Sequence, residues 1–389
     1  MSVLPAAPAR RAVFHPLTVA AVHRLTEDAV EVTFAVPPDL VDSYHYLPGQ
    51  YVALRKVLDG TELRRSYSIC AEPRPGELRV AIKRDLGGLF SSWANEHLLA
   101  GDVLDVMSPA GSFTSRSLPA ALSAAYSGGR ADMPAHQQVE GQVFAAVAAG
   151  SGITPVIAIA RTILASSATT RFDLVYANKA AMDVMFLEEL ADLKDRYPSR
   201  FALHHVLSRE QRISPLLSGR IDAAKLTALI GTVLPADAVD EWFLCGPFEL
   251  VQQCRDALSA RGVDPAKVRF ELFTTGRPDR PEGSSGRPVV PDSSGENYGI
   301  TFRLDGLQGS VSSPVHARES ILNAALRVRP DVPFACAGGV CGTCRAKLVA
   351  GTVEMEENYA LEPEELAAGY VLTCQSRPTS TEVNVDYDA

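Results

Sequence analysis

Four cysteines near the carboxyl terminus constrain this chain more than any other feature. Cys336, Cys341 and Cys344 form a C-x4-C-x2-C run, and Cys374 follows in a separate segment. This spacing is typical of a plant-type [2Fe–2S] centre. The run is rich in glycine, which lets backbone N–H groups approach the inorganic sulfides. The sequence therefore predicts a [2Fe–2S] cluster with these four thiolates as its ligands.

Zinc and disulfide bonds are the alternatives for these cysteines. A structural zinc site usually uses paired short C-x2-4-C knuckles, whereas this chain has one such knuckle. Disulfide frameworks are typical of secreted chains of under about 100 residues, and this chain has 389. The other three cysteines, Cys70, Cys245 and Cys254, lie in apolar stretches and are expected to be buried, unreactive thiols.

Length and charge limit the class of protein. A chain of 389 residues is too long for one core, so two or three domains are expected. The net charge of −9 argues against a nucleic-acid partner. The apolar run Val143–Ala160 could span a membrane by length alone, but central glycine, serine and proline residues favour a strand, a turn and a helix. We expect a cytoplasmic protein without a membrane partner, since cluster thiolates favour a reducing compartment.

Patterning divides the chain into blocks. Residues 10–115 hold short strands with proline and glycine turns, which predict an antiparallel β-barrel. Residues 142–273 alternate strands and helices, which predicts a parallel doubly wound sheet, with one helix expected near Met182–Tyr197. Residues 274–297 read as a linker rich in proline, glycine and serine. Residues 298–389 form the block with the cluster cysteines.

The first block carries a motif suited to a flavin. In Arg65-Ser-Tyr67-Ser68 the arginine and tyrosine share one face of a strand. Arg65 can meet a phosphate, Tyr67 can stack on a flat ring, and the Ser68 hydroxyl can reach a polar ring edge. A later glycine turn before a helix would form an anion site from backbone N–H groups and hydroxyls. The residues assigned to that site are Gly88, Ser91 and Ser92.

The second block carries a motif suited to a dinucleotide. Gly150-Ser-Gly152-Ile-Thr154-Pro155 closes a strand and opens a helix. The glycines let a pyrophosphate approach the backbone. Thr154 is expected to be the helix N-cap, and Pro155 the first helical residue.

Residues that follow the strands of this block predict the coenzyme. No acidic residue closes the second strand, where one would bind the ribose of NAD. Lys179 stands there instead, and Ser208-Arg209 follow the next strand, so a 2′-phosphate and hence NADPH are favoured. Cys245-Gly246-Pro247 ends another strand at the carboxyl edge, where ligands bind in open sheets.

Together and in this order, these motifs resemble the ferredoxin–NADP reductase superfamily. The ferredoxin-like cysteine block narrows the resemblance to reductase components of oxygenases, and most of all to those of phenylacetyl-CoA epoxidases. The stretches Pro333–Cys344 and Glu354–Cys374 are the densest part of this likeness. The resemblance implies an FAD-binding barrel, an NADP-binding α/β domain and a β-grasp ferredoxin domain. It also implies catalytic roles for Tyr67, Cys245 and Glu271.

This combination predicts an electron-transfer enzyme that serves an oxygenase component. NAD(P)H delivers two electrons together and a [2Fe–2S] centre accepts one, so a flavin must stand between them. FMN in place of FAD is an alternative. Others are the reductase of a different oxygenase or hydroxylase, and a non-catalytic electron-transfer subunit of a larger complex.

The cysteine block is also acidic. From Gly299 onwards it holds seven Lys and Arg against twelve Asp and Glu, which is more than half of the net charge of −9. Such a surface could steer a basic partner, although a merely solvated acidic face is the alternative. The carboxylates in question are Glu354, Glu356, Glu357, Glu362, Glu364 and Glu365.

Overall fold

A computed structural model gives the fold. It describes residues 14–58, 60–85, 87–111, 113–118, 140–234, 236–274, 295–329, 332–334, 339, 342–358, 360–361 and 363–389. Cys336, Cys341, Glu362 and most of the predicted linker lie outside these ranges.

The first block forms a six-stranded sheet that closes on itself. Its elements are β1 (Phe14–Thr26), β2 (Ala29–Ala35), β3 (Tyr51–Leu58), β4 (Thr61–Ser68), β5 (Glu77–Lys83), helix α1 (Leu89–His97) and β6 (Val103–Met107). The strand order is β4-β3-β6-β1-β2-β5. An antiparallel bridge between Ile69 and Val80 links the end of β4 to β5, and the Cys70 N–H donates to the Arg79 carbonyl at 3.0 Å. This link between the two outer strands confirms the predicted antiparallel barrel.

The second block is a parallel sheet with helices between its strands. Its elements are β7 (Val143–Ala149), α2 (Ile153–Ser166), β8 (Arg171–Asn178), α3 (Leu187–Arg196), β9 (Phe201–Leu207), α4 (Ala223–Thr232), β10 (Glu241–Pro247), α5 (Phe248–Ala260) and β11 (Val268–Thr274). The order is β11-β10-β7-β8-β9, and all four pairings are parallel. The chain therefore leaves β7 on one side and later returns to its other side, which is the doubly wound topology that was predicted.

The apolar run Val143–Ala160 is divided between β7, a 3-10 turn at Gly150–Gly152 and the first half of α2. It is thus a strand, a turn and a helix, as the interrupting residues predicted. Of the helices in the described ranges, none has both the length and the apolar character that crossing a membrane requires.

Two local predictions in this block are wrong. Helix α3 begins at Leu187 rather than near Met182, because Phe186 takes a left-handed conformation with φ 60°. A separate 3-10 turn, closed by the Asp183 carboxylate on the Ala180 N–H at 3.0 Å, precedes it. The start of α2 also differs from the prediction: the 3-10 turn runs directly into the helix, so Gly152 is the N-cap in place of Thr154, and Ile153 rather than Pro155 is the first helical residue. The Thr154 hydroxyl donates to the Ser151 carbonyl at 2.9 Å instead.

Most of the barrel and the whole parallel sheet belong to the larger of two units, which comprises Pro16–Leu54 and Ser66–Gly276. The end of β3 and most of β4, within Arg55–Arg65, are assigned to the smaller unit. Glu241, at the start of β10, accepts from the Ser115 hydroxyl at 2.6 Å and from the Arg116 N–H at 3.1 Å. Side chains from both sheets share one buried cluster. The thiols Cys70, Cys245 and Cys254 are buried, as predicted.

The carboxyl-terminal block is a mixed sheet with one buried helix. Its elements are β12 (Asn297–Leu304), β13 (Leu307–Pro314), α6 (Ile321–Leu326), β14 (Arg345–Ala350), β15 (Val353–Met355), α7 (Pro363–Ala367), β16 (Tyr370–Leu372), β17 (Ser376–Pro378) and β18 (Glu382–Asp386). The order is β13-β12-β18-β14-β16, with β12 and β18 parallel. This is the β-grasp arrangement that the resemblance implied. The block belongs to the smaller unit.

Candidate active site and cluster site

The two sheets of the larger unit meet at one carboxylate. The Ser68 hydroxyl, at the end of barrel strand β4, donates to Glu271 Oε2 at 3.2 Å. Cys245 Sγ lies 3.9 Å from the same oxygen. Cys245 and Glu271 are register partners on β10 and β11, which places them side by side at the carboxyl edge of the parallel sheet. The structure thus brings together Ser68 and Cys245, which come from two separate motifs, and Glu271, which the resemblance implied.

Burial fixes the charge state of the thiol in this group. Cys245 is fully buried, and burial together with the nearby Glu271 carboxylate raises its pKa well above the ordinary value. Cys245 is therefore a neutral thiol near pH 7. A neutral, polarisable side chain can pack against a nicotinamide ring without adding charge to the site.

The flavin motif lies on β4 beside an aromatic group. The Tyr67 ring is 5.8 Å from that of Phe90 in α1, tilted by 33°. Arg65 shares the Tyr67 face of the strand, and its guanidinium donates to the Arg64 carbonyl at 2.6 Å. On the opposite face, with Ser68, the Ser66 hydroxyl is buried and has no hydrogen-bond partner within the described residues. A buried orphan hydroxyl is costly, so a polar flavin edge beside β4 fits these residues.

The predicted anion turn precedes α1, whose N-cap is Gly88. The Ser91 hydroxyl accepts from the Asp85 N–H at 3.0 Å and donates to the Gly88 carbonyl at 3.3 Å, so it also braces the turn. A Cβ atom on Gly88 would lie 2.6 Å from this hydroxyl, so a larger residue there would require the Ser91 side chain to move. The contact of Gly88, Ser91 and Ser92 with a phosphate stays a prediction.

The nucleotide loop lies at the switch point of the parallel sheet, between β7 and β10. A Cβ atom on Gly152 would be 2.2 Å from the Cys245 carbonyl oxygen, so only glycine fits. Gly150 takes a left-handed conformation with φ 54°. Ligands bind at such switch points in open α/β sheets. This loop and the end of β10 therefore lie together at the switch point, which is where a nicotinamide nucleotide is expected to bind.

Sequence reasoning gave no role to Tyr176, which holds this loop. Tyr176 is fully buried in β8, and its hydroxyl donates to the Gly150 carbonyl at 2.9 Å. The ring of His205 lies 5.9 Å away, with a buried Nδ1 that has no partner in the described part of the chain. Burial and the nearby Arg212 lower the pKa of His205, so it is neutral. A buried tyrosine usually hydrogen-bonds through its hydroxyl. The tyrosine within this strand was therefore the sequence signal for such a contact.

The cationic residues assigned to a 2′-phosphate stand next to each other. The Arg209 N–H donates to the Lys179 carbonyl at 2.7 Å, and the Ser208 N–H to the Asn178 carbonyl at 2.9 Å. Two carboxylates for which the sequence predicted no role lie at the same edge of the parallel sheet. Glu210 accepts from the Ala181 N–H at 2.5 Å, and Asp183 accepts from the Ala180 N–H. The edge therefore carries charges of both signs.

The described part of the cluster site holds Cys344 and Cys374, which are both buried. Thr373 joins them, because its N–H and its hydroxyl both donate to the Cys344 carbonyl, at 3.2 and 2.9 Å. Gly339 has φ 77°, and a Cβ atom there would be 3.0 Å from the Glu357 carbonyl oxygen. Two buried thiols and a glycine with no room for a side chain fit a [2Fe–2S] cluster. Cys336 and Cys341 lie outside the described residues.

Three family models match the chain in the order of these sites. The oxidoreductase FAD-binding domain matches residues 16–115 and the oxidoreductase NAD-binding domain matches residues 146–256. The 2Fe-2S iron–sulfur cluster binding domain matches residues 305–379.

Two relatives match over nearly their whole length. One of the subunits of 1,2-phenylacetyl-CoA epoxidase from Escherichia coli (strain K12) is 43% identical over 97% of this chain and 98% of that protein. The ferredoxin reductase component of 3-ketosteroid-9-alpha-monooxygenase from Rhodococcus rhodochrous is 32% identical over 95% of this chain and 96% of that protein.

A solved structure has the same fold. Phthalate dioxygenase reductase, described as a modular structure for electron transfer from pyridine nucleotides to [2Fe–2S], superposes with a TM-score of 0.54. It covers 96% of this chain and 98% of its own, at 22% identity.

Proposed function

This chain belongs to the family of oxygenase reductase components that combine FAD-, nicotinamide- and [2Fe–2S]-binding domains, and we propose that it is the NADPH-dependent reductase of a phenylacetyl-CoA epoxidase. The family makes it an NAD(P)H-dependent flavin and iron–sulfur oxidoreductase whose partner is an oxygenase component. Identity of 43% over 97% of the chain supports the epoxidase as that partner. A reducing compartment such as the cytoplasm suits a cluster held by thiolates.

The convergence of Ser68, Cys245 and Glu271 is the observation that carries the reductase chemistry. When bound, the flavin takes two electrons from NAD(P)H as a hydride and passes them singly to the cluster. The barrel supplies Ser68 and the parallel sheet supplies Cys245 and Glu271, so the three side chains join the flavin side of the site to the nicotinamide side. The Glu271 carboxylate fixes the Ser68 hydroxyl through the hydrogen bond of 3.2 Å. Reacting rings held at short distance need little further reorganisation.

The nucleotide loop would orient the bound coenzyme. Gly152 allows the loop to lie against the Cys245 carbonyl, and Tyr176 fixes the Gly150 carbonyl from beneath. The N–H groups at the start of α2 then face the pyrophosphate, where the helix N-terminus favours negative charge. In this proposal the loop sets where the dinucleotide lies, and the Cys245 thiol packs against its nicotinamide.

Lys179 and Arg209 support NADPH as the coenzyme. Their backbones are paired at the ends of β8 and β9, so two cationic side chains start from adjacent positions. A 2′-phosphate bound there would gain charge-assisted hydrogen bonds. Glu210 and Asp183 oppose this at the same edge, and their carboxylates suit the hydroxyls of an NADH ribose.

The competing partner is an oxygenase that acts on another substrate. The 32% identity to a ketosteroid monooxygenase reductase over 95% of this chain favours that reading. Reconstitution distinguishes the two. The purified chain is first assayed for flavin, iron and sulfide, and the flavin is extracted to tell FAD from FMN. It is then mixed with the oxygenase components of a phenylacetyl-CoA epoxidase or of a ketosteroid monooxygenase.

We expect NADPH oxidation to be coupled to product formation with the epoxidase components. Coupling with the ketosteroid components alone would overturn the assigned partner. Ser68→Ala tests the site itself: reduction of the flavin by NADPH should slow, whereas a chemically reduced flavin should still pass electrons to the cluster at the wild-type rate. Unchanged flavin reduction in this variant would remove Ser68 from the site.

A further inference from the structure

A side chain outside the four ligands contacts a ligand sulfur. Gln375 follows Cys374 directly, and its carboxamide nitrogen is 3.6 Å from Cys374 Sγ. The same nitrogen is 3.2 Å from the Cys374 carbonyl oxygen. A carboxamide has two N–H hydrogens, so it can donate one to the carbonyl and the other to the sulfur.

The surroundings hold Gln375 in this position. Its own N–H donates to the Leu372 carbonyl at 2.9 Å, and its carbonyl accepts from the Glu356 N–H at 3.0 Å. Its Cγ atom lies only 3.0 Å from the point that a Cβ atom on Gly339 would occupy. The side chain is half-buried and lies against Gly339. The two backbone hydrogen bonds and the Gly339 contact therefore direct the carboxamide toward the Cys374 sulfur.

We propose that Gln375 raises the reduction potential of the [2Fe–2S] cluster by donating an N–H hydrogen bond to the Cys374 thiolate. Reduction adds one electron and leaves the four thiolates bound, so negative charge on the ligand sulfurs increases. A donor stabilises the more negative state more strongly, and hydrogen bonds to the sulfurs are one determinant of cluster potentials. Gln375 acts through Cys374 and is a positioning residue. The inference rests on the proposed function in taking Cys374 as a cluster ligand.

The test compares midpoint potentials, measured on the full chain with flavin and cluster by redox titration followed by electron paramagnetic resonance. Gln375→Leu removes both donors at similar volume. Its cluster should be harder to reduce, with an equilibrium constant for one-electron reduction about tenfold lower, which is ~59 mV. Gln375→Glu keeps the shape and adds negative charge, so its potential should fall at least as far. The same change at an exposed glutamine on β13, Gln308→Leu, is the matched control and should leave the potential unchanged.

A second readout does not depend on the variants. The Fe–S(Cys) stretching bands in the resonance Raman spectrum of the wild-type chain should shift in D2O, because the sulfur accepts an exchangeable hydrogen. Wild-type potential in Gln375→Leu with full iron content would overturn the proposal. If that variant does not hold a cluster, an unshifted potential in Gln375→Glu or an absent D2O effect in the wild type would overturn it instead. A wild-type chain that assembles no cluster at all would contradict the proposed function.

Discussion

The Tyr176 hydroxyl and the Gly150 carbonyl oxygen lie 2.9 Å apart, which ties the second strand of the parallel sheet to the turn after its first strand. Tyr176 is fully buried and Gly150 is half-buried, so the donor side of this bond lies in the core. It connects a core side chain to the loop expected to face the pyrophosphate.

Tyr176→Phe should therefore weaken nucleotide binding and leave the chemical step nearly intact. A hydrogen bond of this kind contributes ~1 kcal/mol, which corresponds to about a fivefold higher KM for NADPH. Steady-state reduction of an artificial acceptor gives both constants. Tyr197→Phe, at the end of α3, is the control and should change neither. A lower kcat at unchanged KM would argue against a binding role for the loop.

Coenzyme selection should depend on Lys179 and Arg209. Each charged hydrogen bond lost to a 2′-phosphate costs about 1.5–3 kcal/mol. Lys179→Ala and Arg209→Ala should therefore raise the KM for NADPH by at least about tenfold each, with much smaller effects on NADH. Equal effects on both coenzymes would place the 2′-phosphate elsewhere.

Glu210→Gln should act in the opposite sense. It removes a negative charge beside Lys179 and releases the Ala181 N–H from a charged acceptor. The ratio of kcat/KM for NADPH to that for NADH should rise. If this ratio falls, the Glu210 carboxylate helps to orient Lys179 and Arg209 rather than repelling the 2′-phosphate.

The buried thiol Cys254 should make stability fall with pH in the alkaline range. Burial raises its pKa well above the ordinary value of about 8.5. Above that pH the unfolded chain releases the proton while the folded chain retains it. The stabilisation is thus complete below pH 8.5 and decreases above it, by about 1.4 kcal/mol per pH unit. Urea unfolding between pH 7.5 and 9.5 should show a shallower decline for Cys254→Ala than for the wild type, and parallel curves would contradict this.

The acidic surface of the cluster domain should steer the approach of the oxygenase component. Glu356 and Glu365 form ion pairs with Arg377 and Arg345, so they are poor choices for charge reversal. Glu354 and Glu364 are exposed and have no ion pair within the described residues. Reversing both to lysine should slow association with the oxygenase, and added salt should narrow the difference.

Flavin reduction by NADPH provides the internal reference for that experiment, since it should change little. Glu188→Lys, an exposed reversal on α3, is the matched control. Electron delivery that responds to neither salt nor reversal would leave these carboxylates as a solvated face.

The sequence predicted the sheets more reliably than the ends of its helices. The division of the apolar run Val143–Ala160 into strand, turn and helix was predicted correctly, because the glycines in its middle leave little choice. The start of α3 was predicted wrongly, since the left-handed conformation of buried Phe186 is imposed by packing rather than by periodicity.

Within the candidate site, the sequence identified the residues of local motifs but not those that act across strands. Cys245 and Ser68 belong to local motifs, whereas Glu271 came only from resemblance. Tyr176 makes its key contact with Gly150, 26 positions earlier, which no local pattern reveals. Gln375 contacts the neighbouring Cys374, but the direction of its carboxamide depends on Gly339, which is distant in sequence. The carboxylates of Asp183 and Glu210 reach the nucleotide edge only because two loops fold toward each other.

The hydrogen bond between Ser68 and Glu271 spans 203 positions of the chain. Since the amino-terminal part of a protein emerges first during synthesis, the barrel is made long before the carboxylate that completes its edge. A product that ends before Glu271 therefore lacks the carboxylate that joins the barrel to the parallel sheet. If the proposed site is right, the order of translation delays its assembly until most of the polypeptide has been made.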